Sequence, residues 1–239
     1  MAESLEKYRI KSLPPNFYYI PNFISAEEEA SLLNKIPPQR WTPLTHRRLQ
    51  AHPSTLTPST NTLLASPLPR WLSDPILPRL QALDIFAHTP HAAPNHVLIN
   101  EYRPGEGIMP HEDGGAYAPV VATVSLGGVV CLRVCAKTGD GDEGGEGEGG
   151  GGVKLPARIL QERGSLLVTT GEAYGGLLHG IEPVEVDEGL GEGTVANWGL
   201  LGDKGVFEGG SNERGVRVSL TYRDVLRVSK AAGKVLGRR

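Results

Sequence analysis

From about residue 95 onward the chain switches from helical to two-residue periodicity, and this switch constrains the fold more than any other feature. HVLINEY (96–102), VVATVSLGGVVCLRV (120–134), ARILQERGSLLVTT (157–170) and VRVSLTYRDV (216–225) are rich in β-branched and apolar residues, with Gly, Pro and acidic turns between them. No helical pattern intervenes, which excludes the alternating units of a parallel sheet. Such a back half closes as a β-sandwich or jelly roll. The front carries helical signals instead. Ser25 followed by Glu28 makes a capping box, with Ala30, Leu32, Leu33 and Ile36 as an apolar stripe. Over 75–86, Asp74 is the expected cap and Pro75 the first helical residue, with Ile76, Leu77, Leu80 and Leu83 facing inward. The Pro/Thr/Ser-rich stretch 41–70 reads as loop. The expected fold class is mainly β (α+β), a jelly roll with N-terminal helices packed outside.

On a strand, residues two apart point the same way. In VLINEY, Leu98, Asn100 and Tyr102 share one face, and Val97, Ile99 and Glu101 the other. In RVSLTYR, Arg217, Ser219, Thr221 and Arg223 share a face, opposite Val218, Leu220 and Tyr222. Alternation alone suits a sheet with one wetted face. It also suits a carboxylate clamp inside a barrel, because a guanidinium fork matches a carboxylate.

PGEGIMPHEDG (104–114) places His111 and Asp113 two apart, so an extended chain aims both to one side, where they can chelate one metal. A third ligand must come from elsewhere. His46, His52, His88 and His91 lie in turn-like surroundings and read as solvated, and His96 is ambiguous. His179, in AYGGLLHGI, is the remaining candidate. Two His and one Asp leave open positions on an octahedral ion, as in non-haem Fe(II) oxygenases, whereas structural zinc closes its site with four ligands.

An H-x-D alone is weak. The ordered set Asn100, Tyr102, His111, Asp113, His179, Arg217, Ser219 and Arg223 is specific, and it resembles the signature of the AlkB family of Fe(II)/2-oxoglutarate dioxygenases. NEYRPGEGIMPHEDG, TVSLG (123–127), GSLLV (164–168), LLHGI (177–181), FYYIPNFISAEEEASLL (17–33) and WTPLTHRRLQ (41–50) agree with it. The resemblance implies a double-stranded β-helix. It implies Fe(II) on His111, Asp113 and His179. It implies 2-oxoglutarate held at its distal carboxylate by Arg217, helped by Asn100, Tyr102 and Ser219, with Arg223 near the proximal carboxylate or near Asp113. It implies O2 as the second cosubstrate and a nucleobase N-methyl group, lost as formaldehyde, as the target. The same chemistry on a protein side chain and a nucleic-acid-binding module with weak turnover are the alternatives. His179 and Arg217 stand 38 residues apart, longer than in compact members of the family.

A nucleic-acid substrate, single-stranded DNA or RNA, needs basic surface and a route for an extruded base. Trp41, His46, Arg47 and Arg48 fall where the family carries a nucleotide-recognition lid, although a solvated basic turn would read the same. Tyr117 could stack on a base or pack against a loop. The tail 216–239, with seven Lys/Arg against one Asp, could follow a phosphate backbone or be a soluble helix.

Composition enters through glycine and charge. The chain has 239 residues, 31 Gly and a net charge of -3. Residues 139–152 are all Gly or acidic, and 182–215 carry nine more Gly and eight acids against two bases. Both are expected as flexible inserts, the second with some order around the apolar patch NWGLLG (197–202) and the first dispensable for iron and cosubstrate binding. Without them the rest of the chain carries +8. The acidic inserts would then compete with phosphate for that basic body. One domain is expected over 1–239, with a helical and lid part to about 94 and a jelly-roll core over about 95–228. Cys131 and Cys135 on one strand face lie roughly 13 Å apart, too far for a disulfide. No apolar run approaches the ~20 residues of a membrane span, and MAESLEKYRI lacks a secretory apolar core. A monomer in cytoplasm and nucleus is the expectation.

Overall fold

The computed structural model describes residues 4–137, 148–149 and 153–229. Eleven strands build two facing sheets: β1 (Phe17–Ile20), β2 (Thr42–Leu44), β3 (Arg47–His52), β4 (His96–Tyr102), β5 (Ile108–His111), β6 (Tyr117–Gly127), β7 (Val130–Ala136), β8 (Ala157–Gln161), β9 (Leu166–Thr170), β10 (Leu177–Ile181) and β11 (Arg217–Val225). The larger sheet runs β1-β9-β6-β11-β4-β3-β2 and the smaller β8-β7-β10-β5, with antiparallel pairing throughout both. This is the expected jelly roll.

Two of the expected β runs each split in two, and each split moves the chain from one sheet to the other. The first corner is at Gly127, φ +74, where a Cβ would lie 2.5 Å from the Val216 carbonyl oxygen. The second is at Gly164, φ +70. Only glycine takes such backbone without strain. One carboxylate ties both corners. Glu29, 1% exposed, accepts from the Gly127 amide at 2.7 Å and from Arg163 Nε at 2.9 Å. Glu29 lies on helix α1 (Ala26–Lys35), which carries the expected capping box: Ser25 Oγ accepts from the Glu28 amide, and Glu28 Oε2 from the Ser25 amide. Its buried face is Glu29, Leu32 and Ile36 rather than Ala30, which is exposed.

The helices α2 (Arg70–Ser73) and α3 (Ile76–Ala82) complete the outer layer. Asp74 does not cap α3 as expected, because it closes the preceding turn α2 and its carboxylate pairs with Arg70. Leu32, Leu72, Ile76 and Leu80 pack on Val97, Ile99, Val124, Val218, Leu220 and Tyr222, the apolar faces of the central strands. Tyr222 donates to the Leu72 carbonyl at 2.8 Å, which links that layer to the sheet. The opposite faces of β4 and β11 are therefore left to the interior between the sheets.

The 41–70 stretch holds the β2–β3 hairpin instead of being loop throughout. Pro43 is tolerated because β2 is an edge strand. The 182–215 stretch also differs from expectation. Val186–Glu188 pairs with Ser211–Glu213, and Leu190, Val195, Leu201 and Phe207 are buried in a second core with β7 and β8. Arg214 and Asp187, 4% and 2% exposed, form an ion pair inside it. Spaced single apolar residues anchor this segment, so its glycine content misled. Most of 139–152 and the tail beyond 229 lie outside the described residues. Cys131 and Cys135 are free thiols, as expected. No helix among the described residues is long and apolar enough to cross a membrane.

His52 and His91 are not merely solvated. His91 Nδ1 meets the buried Asp224 carboxylate, and His52 is buried between Arg40 and Gln50. Burial, aided by Arg40 for His52 and by Arg223 for His96, pushes both His52 and His96 down to about 4. The unfolded chain protonates them near pH 6.5, so below that pH it binds more protons than the native state. Stability should accordingly fall as pH drops from about 6.5 toward 4, by on the order of 2 kcal/mol per imidazole. Urea unfolding of wild type and His52→Gln across that window checks this; equal slopes would remove His52 from the account.

Candidate active site

The interior faces of the two sheets enclose a cavity of about 120 Å³. All eight residues named from the sequence line it: Asn100, Tyr102, His111, Asp113, His179, Arg217, Ser219 and Arg223. The strand register explains why. Arg217 lies opposite Tyr102, Ser219 opposite Asn100 and Thr221 opposite Leu98 across β11 and β4, so one polar face forms from two distant segments. That face is not wetted: Arg217, Ser219 and Arg223 are each less than a tenth exposed.

His111 and His179 are direct partners across β5 and β10, with ring centroids 4.5 Å apart. Gly180 permits that approach, since a Cβ there would stand 2.9 Å from the Ile108 carbonyl oxygen. His111 Nδ1 lies 2.9 Å from the Met109 carbonyl, which can only accept. The proton therefore sits on Nδ1 and the Nε2 lone pair is left for a metal. Burial pushes His179 down to about 4, which keeps it the neutral imidazole that metals require. The Asp113 side chain is 4% exposed, and its Oδ1 accepts from Arg223 Nη2. As placed, no three His, Cys, Asp or Glu side chains among the described residues close on one point. Oδ2 of Asp113 has no protein hydrogen bond among those residues, so ligation requires Asp113 to be shared between Arg223 and the ion. The donor set and the His111 tautomer fit Fe(II).

Arg217 fits the cosubstrate by a separate argument. Its Nη2 donates to Ser125 Oγ at 3.0 Å and Gln161 Oε1 at 2.9 Å, both neutral, and its buried Nε has no partner. Burial pushes this guanidinium down to about 10. A buried cation without a carboxylate is costly, and a dicarboxylate ligand relieves that cost.

Arg223 reaches Asp113 and also covers the Tyr117 ring, 4.8 Å from its centroid. Tyr117 packs against His96 as well and does not line the cavity, so the packing alternative holds for it. In the β2–β3 hairpin, Arg47 lines the cavity and Arg48 points away from it. Arg47 Nε donates to Asn100 Oδ1 at 3.2 Å. Arg48 lies over Trp41 and pairs with Glu101 at 2.7 Å. His46 at the hairpin tip is exposed. Sequence reasoning missed Ser125, Gln161 and Tyr174. The first two are buried polar residues within largely apolar strand runs, and that interruption was the available signal.

A jelly roll holding two histidines, one aspartate and a buried, unmatched arginine between its sheets defines a class, and comparison agrees. The profile of the 2OG-Fe(II) oxygenase superfamily matches residues 16–223, and the chain belongs to that superfamily. Its members use Fe(II), 2-oxoglutarate and O2, which makes this protein an oxidoreductase. Within the superfamily it is of the AlkB type. It is 38% identical to the probable RNA/DNA demethylase ALKBH6 of Danio rerio, over 95% of this chain and 93% of that protein. It is 27% identical to the tRNA (carboxymethyluridine(34)-5-O)-methyltransferase ALKBH8 of Mus musculus over 92% of this chain, which spans only 32% of that larger protein. The fold matches the structure of OsALKBH1 at 15% identity with a TM-score of 0.51, covering 89% of this chain and 99% of that one.

Proposed function

We propose that the enzyme oxidatively demethylates alkylated nucleic acid. The observation that carries this reading is the convergence of the lid arginine Arg47 and the eight signature residues on one cavity. His111, Asp113 and His179 would hold Fe(II), and Arg217 with Ser125, Gln161 and Tyr102 would seat the distal carboxylate of 2-oxoglutarate. Fe(II) held there would supply, with O2 and 2-oxoglutarate, the oxidising chemistry for converting a methyl C–H to C–OH as 2-oxoglutarate becomes succinate and CO2.

The chain's residues do the positioning. Met109 fixes the His111 tautomer through its carbonyl. Arg223 orients the Asp113 carboxylate through its hydrogen bond to Oδ1. Leu132, Val134, Ile108 and Leu167 line the cavity and limit water around the reacting group. A methylated base must leave its stack to enter. The β2–β3 hairpin, fixed outside by Arg48, Trp41 and Glu101, presents Arg47 on the way in.

Succinate formation with methylated single-stranded oligonucleotides, measured against methylated peptides, tests the reading. Stimulation above the uncoupled rate by oligonucleotides is the expected result. Stimulation by peptides alone would replace it with a protein oxygenase. Nuclear and cytoplasmic residence, with the single chain as the working unit, accords with this proposal.

A further inference from the structure

The charged side chains lining the cavity are Arg47, Asp113, Arg217 and Arg223, besides the two imidazoles. Three guanidinium groups face one carboxylate, an excess of two positive charges. Imidazoles that ligate a metal are neutral. Fe(II) and the 2-oxoglutarate dianion cancel each other, so loading the enzyme leaves that excess in place. The neighbouring carboxylates are turned elsewhere. Glu101 holds Arg48 at 2.7 Å from the opposite face of β4, and Glu112 holds Lys137 at 2.6 Å. Asp113 is engaged by Arg223. The described residues of the cavity therefore offer no free carboxylate to a cationic substrate.

Arg47 is the arginine left over once Arg217 takes the cosubstrate and Arg223 takes Asp113. Only its Nε is engaged, on Asn100 at 3.2 Å, and Nη1 and Nη2 have no hydrogen-bond partner among the described residues. Its position is fixed from behind, because Arg48, the next residue, is sandwiched by Trp41 and Glu101.

Resting on the nucleic-acid reading above, we infer that this cavity selects uncharged methylated bases and rejects cationic ones, with Arg47 as the specificity-determining residue. Methylation at adenine N1 or cytosine N3 produces a base that is cationic at neutral pH. Methylation at adenine N6 or uracil N3 leaves the base uncharged. A fixed guanidinium repels the first kind, while its free N–H groups donate to the carbonyl or ring-nitrogen acceptors of the second. At protein-like screening and a separation of several ångströms, one such repulsion is worth roughly tenfold in affinity or more.

The test uses the enzyme loaded with Fe(II) and 2-oxoglutarate without oxygen, so that binding is read without turnover. Fluorescence anisotropy gives Kd for single-stranded oligonucleotides identical except at one base: unmodified, N6-methyladenine, 3-methyluracil, 1-methyladenine or 3-methylcytosine. The two methyladenines are isomers, so charge and shape are compared at equal composition. The uncharged bases should bind roughly tenfold tighter than the cationic ones. Arg47→Gln, which can still donate to Asn100, should erase the difference, and Arg47→Glu should reverse it. Tighter binding of the cationic bases by wild type would overturn the inference and leave nucleic-acid demethylation standing. Methylated bases binding no better than the unmodified oligonucleotide would overturn both. A preference that survives in both Arg47 variants would overturn the assignment to Arg47.

Discussion

Replacing His111 with alanine should give a folded protein that no longer consumes 2-oxoglutarate. His111 lies on the edge strand β5 and is only half-buried, so truncation leaves no large cavity. It removes one of three candidate ligands and the one whose tautomer the fold fixes through Met109. Loss of a supporting partner to a metal ligand already costs 10- to 100-fold, so loss of the ligand itself should bring turnover below about 1%. Anaerobic equilibrium dialysis with Fe(II) should show metal affinity falling in parallel, and circular dichroism should show the fold intact. Asp113→Ala should be equally inactive but less stable. It strands the Arg223 guanidinium, which is 9% exposed and has its hydrogen-bonded partner in Asp113. Breaking a buried pair from one side costs about 3–5 kcal/mol. Unchanged turnover in either variant would remove the metal assignment.

Arg217→Met should separate function from stability. A buried guanidinium that among the described residues hydrogen-bonds only the neutral Ser125 and Gln161, with the Tyr102 ring 5.9 Å from it, is a charge without a carboxylate in the native protein. Replacing such a charge by an apolar side chain of similar length is expected to stabilise the cosubstrate-free protein by about 1 kcal/mol or more. The same change deletes the fork for the distal carboxylate, and KM for 2-oxoglutarate should rise on the order of 100-fold. Arg217→Lys should recover little of this, because an ammonium lacks the bidentate geometry. Denaturant midpoints read the first effect and initial rates the second. A variant with unchanged KM would place the carboxylate elsewhere.

The sequence exposed most of this site because strand alternation is strict. Once β4 and β11 are extended, Asn100, Tyr102, Arg217, Ser219 and Arg223 must share faces, and only the pairing register was missing. What it did not expose was set by packing between distant segments. Glu29 lies outside the apolar stripe expected for its helix, yet it is buried because two glycine corners present an amide and an arginine to it. The β2–β3 hairpin was hidden under Pro and Thr, which an edge strand tolerates. Residues 182–215 were hidden under glycine, although Leu190, Val195, Leu201 and Phe207 suffice to pin them. Arg47 and Arg48 are adjacent and alike in sequence, and only the sheet's pleat sends one inward and the other onto Trp41.

The edge position of β5 has a thermodynamic consequence. This strand is paired on one side only, by β10, with a register shift between His179 and Ile181, and Met109 beside it is 78% exposed. Edges of that kind open locally at lower free energy than the sheet interior. An ion shared by His111, Asp113 and His179 would act as a cross-link from this weak margin to its neighbour. A ligand bound only by the native state adds about 4 kcal/mol at a thousandfold excess over its Kd. Iron supply would then govern more than rate: it would set how often this margin frays, and amide exchange over 108–111 would become a gauge of metal loading.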